Sequence, residues 1–337
     1  MSKINMLTHA IILVALLAFS PMAKAQAPII KIPYNLENNR IKLFLYSQGH
    51  ELSLMLDTGA TTSVFFQSPA FETIAASEGP TVNFPAFSES YKTRKLPSVN
   101  LTYKDFTLRL NKAVLLPKDE KISSQLSLGY DGILGQEVFM NYAIMVNTDT
   151  QHISLYPPGT DFSSTLDVKH SLKMVGSYPH ITFSSQLPWE QGKTRKTFLI
   201  DTGYPGSIVV WNKREFRNAA QNLNLTKFKK RNVGIVAYAN FRFADHHFTH
   251  TPVFLSANPP QQKSGNLGLI GATLLNHFNY VLDFQASLLW TDHTNETQQA
   301  KYIDGTIYPP NNETYVIKKY YIKKRNLPHR SLGRGAN

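Results

Sequence analysis

Two aspartates are the residues in this sequence best placed to do chemistry. Asp57 closes the apolar run of "LSLMLDTGATTSVFF", and Asp201 closes that of "KTFLIDTGYPGSIVV". A carboxylate at the end of a buried strand is costly to desolvate unless a nearby group compensates it. Each is followed by threonine and glycine, Thr58-Gly59 and Thr202-Gly203. Glycine permits tight backbone conformations that a Cβ would oppose. If the two loops meet, their carboxylates face each other, share a proton and split their pKa values. One then acts as an acid and the other as a base at the same pH. Such a pair can activate a water against a carbonyl carbon and protonate the departing nitrogen.

The elements that must position these loops repeat as well. The aspartates are 144 positions apart (57 to 201), and each Asp-Thr-Gly leads through a short linker into Ser63-Val64 or Ser207-Ile208. A second motif, two aliphatics and a glycine, occurs as Ile133-Leu134-Gly135 and as Leu269-Ile270-Gly271, 136 positions apart (135 to 271). Each copy runs into a short helix-like apolar stretch and then a strand. Before each aspartate, "NRIKLFLYSQGHELSLMLD" and "YPHITFSSQLPWEQGKTRKTFLID" read as strand, turn, strand. Alternating, β-branched and aromatic residues predict further strands in "SVNLTYKDFTLRLNKAVLL" and "ANFRFADHHFTHTPVFL", and "WNKREFRNAAQNL" predicts a helix. A repeat of this period is the signature of a duplicated β-rich unit. Its join falls near Pro157-Pro158-Gly159, where turn formers cluster.

The paired motifs resemble those of two-lobed aspartic peptidases of the retropepsin/pepsin type, over about residues 28–292, and the small lobes are closest to the bacterial retropepsin-like families. The resemblance implies a mostly β fold of two similar barrel-like lobes about a pseudo-twofold axis, with the active site in the cleft between them. It implies that Asp57 and Asp201 hold the attacking water. It implies that Thr58 and Thr202 hydrogen-bond across to the opposite loop, supported by Gly59 and Gly203. Ile133, Leu134 and Gly135, with Leu269, Ile270 and Gly271, would pack beneath the loops. A hairpin flap would close over an extended peptide, with Tyr91 and Tyr238 marking where to look for it. Ala60 follows the first motif, as is common in retropepsins, but Tyr204-Pro205 follows the second. Tyr204 could narrow a pocket, hydrogen-bond near the pair, or block it. The expected activity is endopeptidase cleavage of peptide or unfolded-protein substrates by a monomer, with no metal, cofactor or covalent intermediate. The alternative is a degenerate module that binds peptides without cutting them.

Composition bounds the rest. The 337 residues are 42% hydrophobic, carry a formal charge of +12 and contain no cysteine. Residues 1–25 read as a signal peptide: Lys3, an apolar stretch from about Ala10 to Phe19, and an Ala23-x-Ala25 cleavage site. Export to a bacterial periplasm or exterior is expected, without disulfides. The expected division is 26–158 and 159–300 as two lobes and 301–337 as a basic tail. That tail holds Lys318, Lys319, Lys323, Lys324 and Arg325. It is either a terminal strand with a solvated end or an attachment to an anionic envelope surface. No nucleic-acid motif accompanies the positive charge, so nucleic acid is not an expected partner. His246, His247 and His250 lack the ligand spacing of a metal site, with His246 and His250 on one strand face and His247 on the other. Neither a serine-nucleophile elbow nor a phosphate loop is present.

Overall fold

A computed structural model describes residues 26–68, 80–86, 89–96, 98–117, 129–185, 187, 190, 192, 194–211, 213–222, 234–243, 246–256, 268–292 and 315–317. The signal-peptide reading and most of the basic tail lie outside these residues. The described chain is mostly β, with three short helices. None of the helices among the described residues is long and apolar enough to cross a membrane.

The first half opens with β1 (Ile30–Glu37), β2 (Arg40–Ser47) and β3 (His50–Leu56), an antiparallel succession. The β1–β2 connection is only Asn38-Asn39, both in the left-handed region at φ 50° and 63°. Two such residues match the right-handed twist of the flanking strands, and asparagine tolerates that conformation. After the Asp57 loop come β4 (Ser63–Phe66), the hairpin β5 (Thr81–Ala86) and β6 (Glu89–Leu96), the hairpin β7 (Val99–Tyr103) and β8 (Phe106–Leu110), and β9 (Ala113–Leu116). Then β10 (Gly132–Leu134) inserts between β3 and β4, parallel to the first and antiparallel to the second. All three residues of β10 are buried, as is usual for a strand covered on both faces. Helix α1 (Gln136–Asn141), β11 (Ala143–Asn147) and β12 (His152–Tyr156) complete the half.

The second half repeats these pairings. β13 (Val168–Val175), β14 (Tyr178–Ser185) and β15 (Thr194–Asp201) lead to the Asp201 loop. Beyond it lie β16 (Ile208–Val210), α2 (Lys213–Asn222), and the long hairpin β17 (Gly234–Phe243) with β18 (His246–Ser256). β19 (Gly268–Gly271) inserts parallel to β15 and antiparallel to β16, as β10 does with β3 and β4. Helix α3 (Ala272–Leu275), β20 (Tyr280–Asp283) and β21 (Leu288–Thr291) follow. The predicted helix therefore forms as α2, and the two short helices follow the aliphatic-aliphatic-glycine motifs. In the tail, Tyr315–Ile317 form β22 against β17.

The halves are joined through β11 and β20, which pair antiparallel. Around that seam one continuous apolar core gathers Ile144, Val146, Leu282 and Leu289 with Phe139, Phe278 and Phe284. Burying each such side chain contributes roughly 1.5–3 kcal/mol, so this seam is a major source of cohesion.

Register corrects one expectation. Ser63-Val64 was set against Ser207-Ile208, but Ile133 pairs with Val64 whereas Leu269 pairs with Val209. From the aspartate to the paired valine the second loop takes eight steps (201 to 209) where the first takes seven (57 to 64), so Tyr204–Ser207 stand where Ala60–Thr62 stand in the first. A one-residue shift exchanges strand faces. Accordingly Ile208 packs in the main core while Val209 joins the cluster beside the Asp201 loop.

Candidate functional site

The parallel pairs β3–β10 and β15–β19 each stop at an aspartate. Asp57 N–H donates to the Leu134 carbonyl (2.9 Å), so the Ile133-Leu134 motif fixes where the first loop begins. The two loops then meet. Thr58 N–H donates to Thr202 Oγ1 and Thr202 N–H donates to Thr58 Oγ1, both at 3.0 Å. The Thr58 hydroxyl donates to the Ile200 carbonyl (2.7 Å) and the Thr202 hydroxyl to the Leu56 carbonyl (2.9 Å). Both threonines are buried. Each hydroxyl thus satisfies one donor and one acceptor of the opposite half, which leaves no unpaired group at the junction to carry a desolvation cost.

This brace brings the carboxyl groups of Asp57 and Asp201 together, each lying against the loop glycine of the opposite half, close enough for each to shift the other's titration. Both aspartates are half-buried. Gly59 N–H donates to Asp57 Oδ1 (2.7 Å), and the Gly203 and Tyr204 N–H groups donate to Asp201 Oδ1 (3.1 and 3.0 Å). Burial raises the Asp57 pKa, against the pull of the Gly59 amide, the Asp201 hydrogen bond, the Ala60 amide and the Arg40 charge toward the ionised form. Burial raises the Asp201 pKa well above the carboxylate range, and the Asp57 charge and hydrogen bond push it further. Both acids are raised, Asp201 the more strongly, so the pair keeps one shared proton above the ordinary carboxylate range.

The loop glycines are required for a different reason from the expected one. Neither Gly59 nor Gly203 has a positive φ. A Cβ on Gly59 would lie 2.8–2.9 Å from the Asp201 carboxyl, and one on Gly203 would overlap the Asp57 carboxyl. Each glycine makes room for the other half's acid.

The structure brings Asp57, Thr58, Gly59, Asp201, Thr202 and Gly203 together. Ile133 and Leu269 pack beside the loops in two separate apolar clusters, while Leu134 and Ile270 lie in the main core. Gly135 and Gly271 lie against the loop backbones at Ala60–Thr62 and Tyr204–Gly206. Tyr91, on β6, is buried with Met55, Val64 and Ile133 near Ala60. Tyr238 lies on β17 opposite Pro252, and its side chain is outside the described residues. So are the side chains of His246, His247 and His250 on β18. Tyr204 turns its ring onto Gly206 and Gly271, against Leu199, Val209 and Leu269.

Several supporting residues were missed in sequence. Gln136 Nε2 donates to the Thr58 carbonyl (2.9 Å) and its N–H to the Ala60 carbonyl (2.8 Å), pinning the first loop from α1. Asn39 Nδ2, at the β1–β2 turn, donates to Thr273 Oγ1 (2.9 Å) and the Pro205 carbonyl (3.3 Å), and its own carbonyl accepts from Asn276 Nδ2 (2.7 Å). The first half's hairpin tip thereby holds the second half's loop. Arg40, buried beside it, sits with Cζ 5.6 Å from the centre of the Tyr130 ring. Asn38-Asn39 between two strands was a readable turn signal, but nothing local told what the turn touches.

No protein-family model matches this chain, and neither does any curated protein. The functional reading rests on the site itself.

Proposed function

We propose that this protein is an aspartic endopeptidase with two β-rich lobes related by a pseudo-twofold axis. The observation that carries the reading is the juxtaposition of Asp57 and Asp201, each against the other half's loop glycine, across two loops that brace each other through Thr58 and Thr202. The repeated insertion of β10 and β19 supports the lobed reading.

In this mechanism an extended peptide lies across the pair. Ionised Asp57 takes a proton from a water held between the carboxyls, and the water oxygen bonds to the peptide carbonyl carbon. Asp201 gives its proton to the carbonyl oxygen, forming a tetrahedral diol. Asp57 then passes the proton it took to the nitrogen while Asp201 takes one from a diol hydroxyl, the C–N bond breaks, a carboxyl and an amine leave, and the pair is back in its starting state. General acid and base assistance of this kind is worth about 10²–10⁴-fold for each group. Substrates are peptides or unfolded proteins. A signal-peptide reading of residues 1–25 and the positive charge support an exported enzyme working near an anionic envelope surface.

The test is cleavage of an unfolded protein by the wild type and by Asp57→Asn and Asp201→Asn. The expected result is fragments from the wild type and loss of at least about a hundredfold in rate in each variant. Equal cleavage by all three would reject the mechanism. Peptide binding without cleavage by the wild type would favour the non-cutting alternative.

A further inference from the structure

The two sides of the site are unequal. Beside Asp57, the register-matched residues Met55, Val64 and Ile133 form an apolar group with Tyr91 buried among them, and the residue after the motif, Ala60, adds only a methyl. Beside Asp201 the matching residues are Leu199, Val209 and Leu269, and there the residue after the motif is Tyr204. Its ring has a seat made for it. Cβ atoms on Gly206 and Gly271 would lie 2.6 Å from Tyr204 Cε1 and Cδ1, so only glycine at both positions leaves the ring its space. Its backbone is fixed at both ends, the N–H on Asp201 Oδ1 (3.0 Å) and the carbonyl on Ala272 N–H (2.8 Å). The next carbonyl, of Pro205, is held by Asn39 Nδ2 and by the Thr273 hydroxyl (2.5 Å). Tyr204 itself remains half-buried, so part of it faces outward.

We infer that Tyr204 is the specificity-determining residue on the Asp201 side of the scissile bond, covering Leu199, Val209 and Leu269 so that only a small substrate side chain fits there. This rests on the peptidase reading. An extended peptide advances about 3.3 Å per residue with side chains on alternate faces, so the two residues flanking the bond meet different walls. One wall carries an alanine methyl at the decisive position and the other a phenol ring three residues beyond the acid, anchored to it through its own N–H. The restriction is therefore one-sided. An aromatic ring in place of a methyl group removes room for several methylenes, and each methylene discriminates by roughly 10–200-fold.

The test is digestion of a mixed peptide library by the wild type, Tyr204→Ala and Tyr204→Phe, with cleavage sites read by mass spectrometry. The wild type is expected to favour Gly, Ala or Ser at one flanking position. Tyr204→Ala should accept Leu and Phe there with at least a tenfold gain in kcat/KM for such peptides, without change on the other side. Tyr204→Phe should keep the wild-type profile. Thermal melts establish folding, and Tyr204→Leu, which keeps apolar contact with Leu199 and Leu269, replaces the alanine variant if that one does not fold. Cleavage by the enlarged-site variant with an unchanged profile would overturn the inference and leave the peptidase reading intact. Absence of cleavage by every form would overturn the peptidase reading and the inference with it.

Discussion

Removing one hydroxyl from the threonine brace should cost far more than a surface hydrogen bond. Thr58→Val keeps the shape of the side chain and deletes the group that donates to the Ile200 carbonyl (2.7 Å) and accepts from Thr202 N–H (3.0 Å). Both partners sit in a buried junction, so neither recovers a water easily. Each of the two buried groups left unpaired costs about 1–3 kcal/mol, which gives a loss of about 2–6 kcal/mol. At roughly 2–4 °C per kcal/mol, the melting temperature should fall by about 4–24 °C. Thr58→Ser retains the hydroxyl and loses one methyl, a change of about 1 kcal/mol. Thr202→Val should behave like Thr58→Val, because its hydroxyl serves the Leu56 carbonyl and Thr58 N–H in the same way. The double valine variant should lose less than the two single losses together, since the first opening admits water to the second site. Urea unfolding of the four variants measures these differences, and cleavage rate reports whether the carboxyls stay paired. If Thr58→Val lies within about 0.5 kcal/mol of wild type, the range of an ordinary surface substitution, the brace is not what holds the loops together.

Gly203→Ala pushes a methyl into the Asp57 carboxyl and should abolish cleavage and lower the melting temperature, more severely than Gly59→Ala, whose Cβ would be 2.8–2.9 Å from the Asp201 carboxyl; melts and cleavage assays of both variants check the order. Asp201→Asn should fold, because its side-chain oxygen can still accept from Gly203 and Tyr204 while its amide donates to Asp57. The Asp201 pKa is raised in the folded state, so its contribution to wild-type stability is greatest in acid and is lost as pH rises from the ordinary carboxylate range toward the raised value. The variant lacks that loss, so its melting temperature relative to wild type should be higher at pH 7 than at pH 3. Arg40→Gln removes a positive charge that favours ionised Asp57, so the acid limb of the activity profile should move to higher pH; an unmoved limb would exclude Arg40 from the site's electrostatics.

The chemistry was more legible in the sequence than its supports. Asp57 and Asp201 stand out because a carboxylate after a buried strand is costly and because the pattern occurs twice. The strands flanking them follow from alternation and from β-branched residues. What the sequence hid was register and long-range pairing. The second loop reaches its paired valine one residue later than the first, and a repeat compared without a gap places Ile208 where Val209 belongs. Asn39 reaches Pro205 and Thr273 across separations of 166 and 234 residues, and no local pattern encodes such contacts. Gln136 lacks a counterpart in the other half, where Ala272 follows the glycine, so the repeat could not reveal it. The reason for Gly59 and Gly203 was misread for the same cause. It lies in the opposite half of the chain and not in their own backbone angles.

The central claim is that Asp57 and Asp201 share one proton and hydrolyse a peptide bond with it. The most direct measurement is kcat/KM against pH for one internally quenched peptide, with wild type and both asparagine variants. The account predicts a bell that rises as Asp57 ionises and falls as Asp201 loses the shared proton, the falling limb lying well above the ordinary carboxylate range. It predicts that either substitution removes the bell along with the activity. A profile that follows a single group, or one that survives Asp57→Asn or Asp201→Asn unchanged, would contradict it.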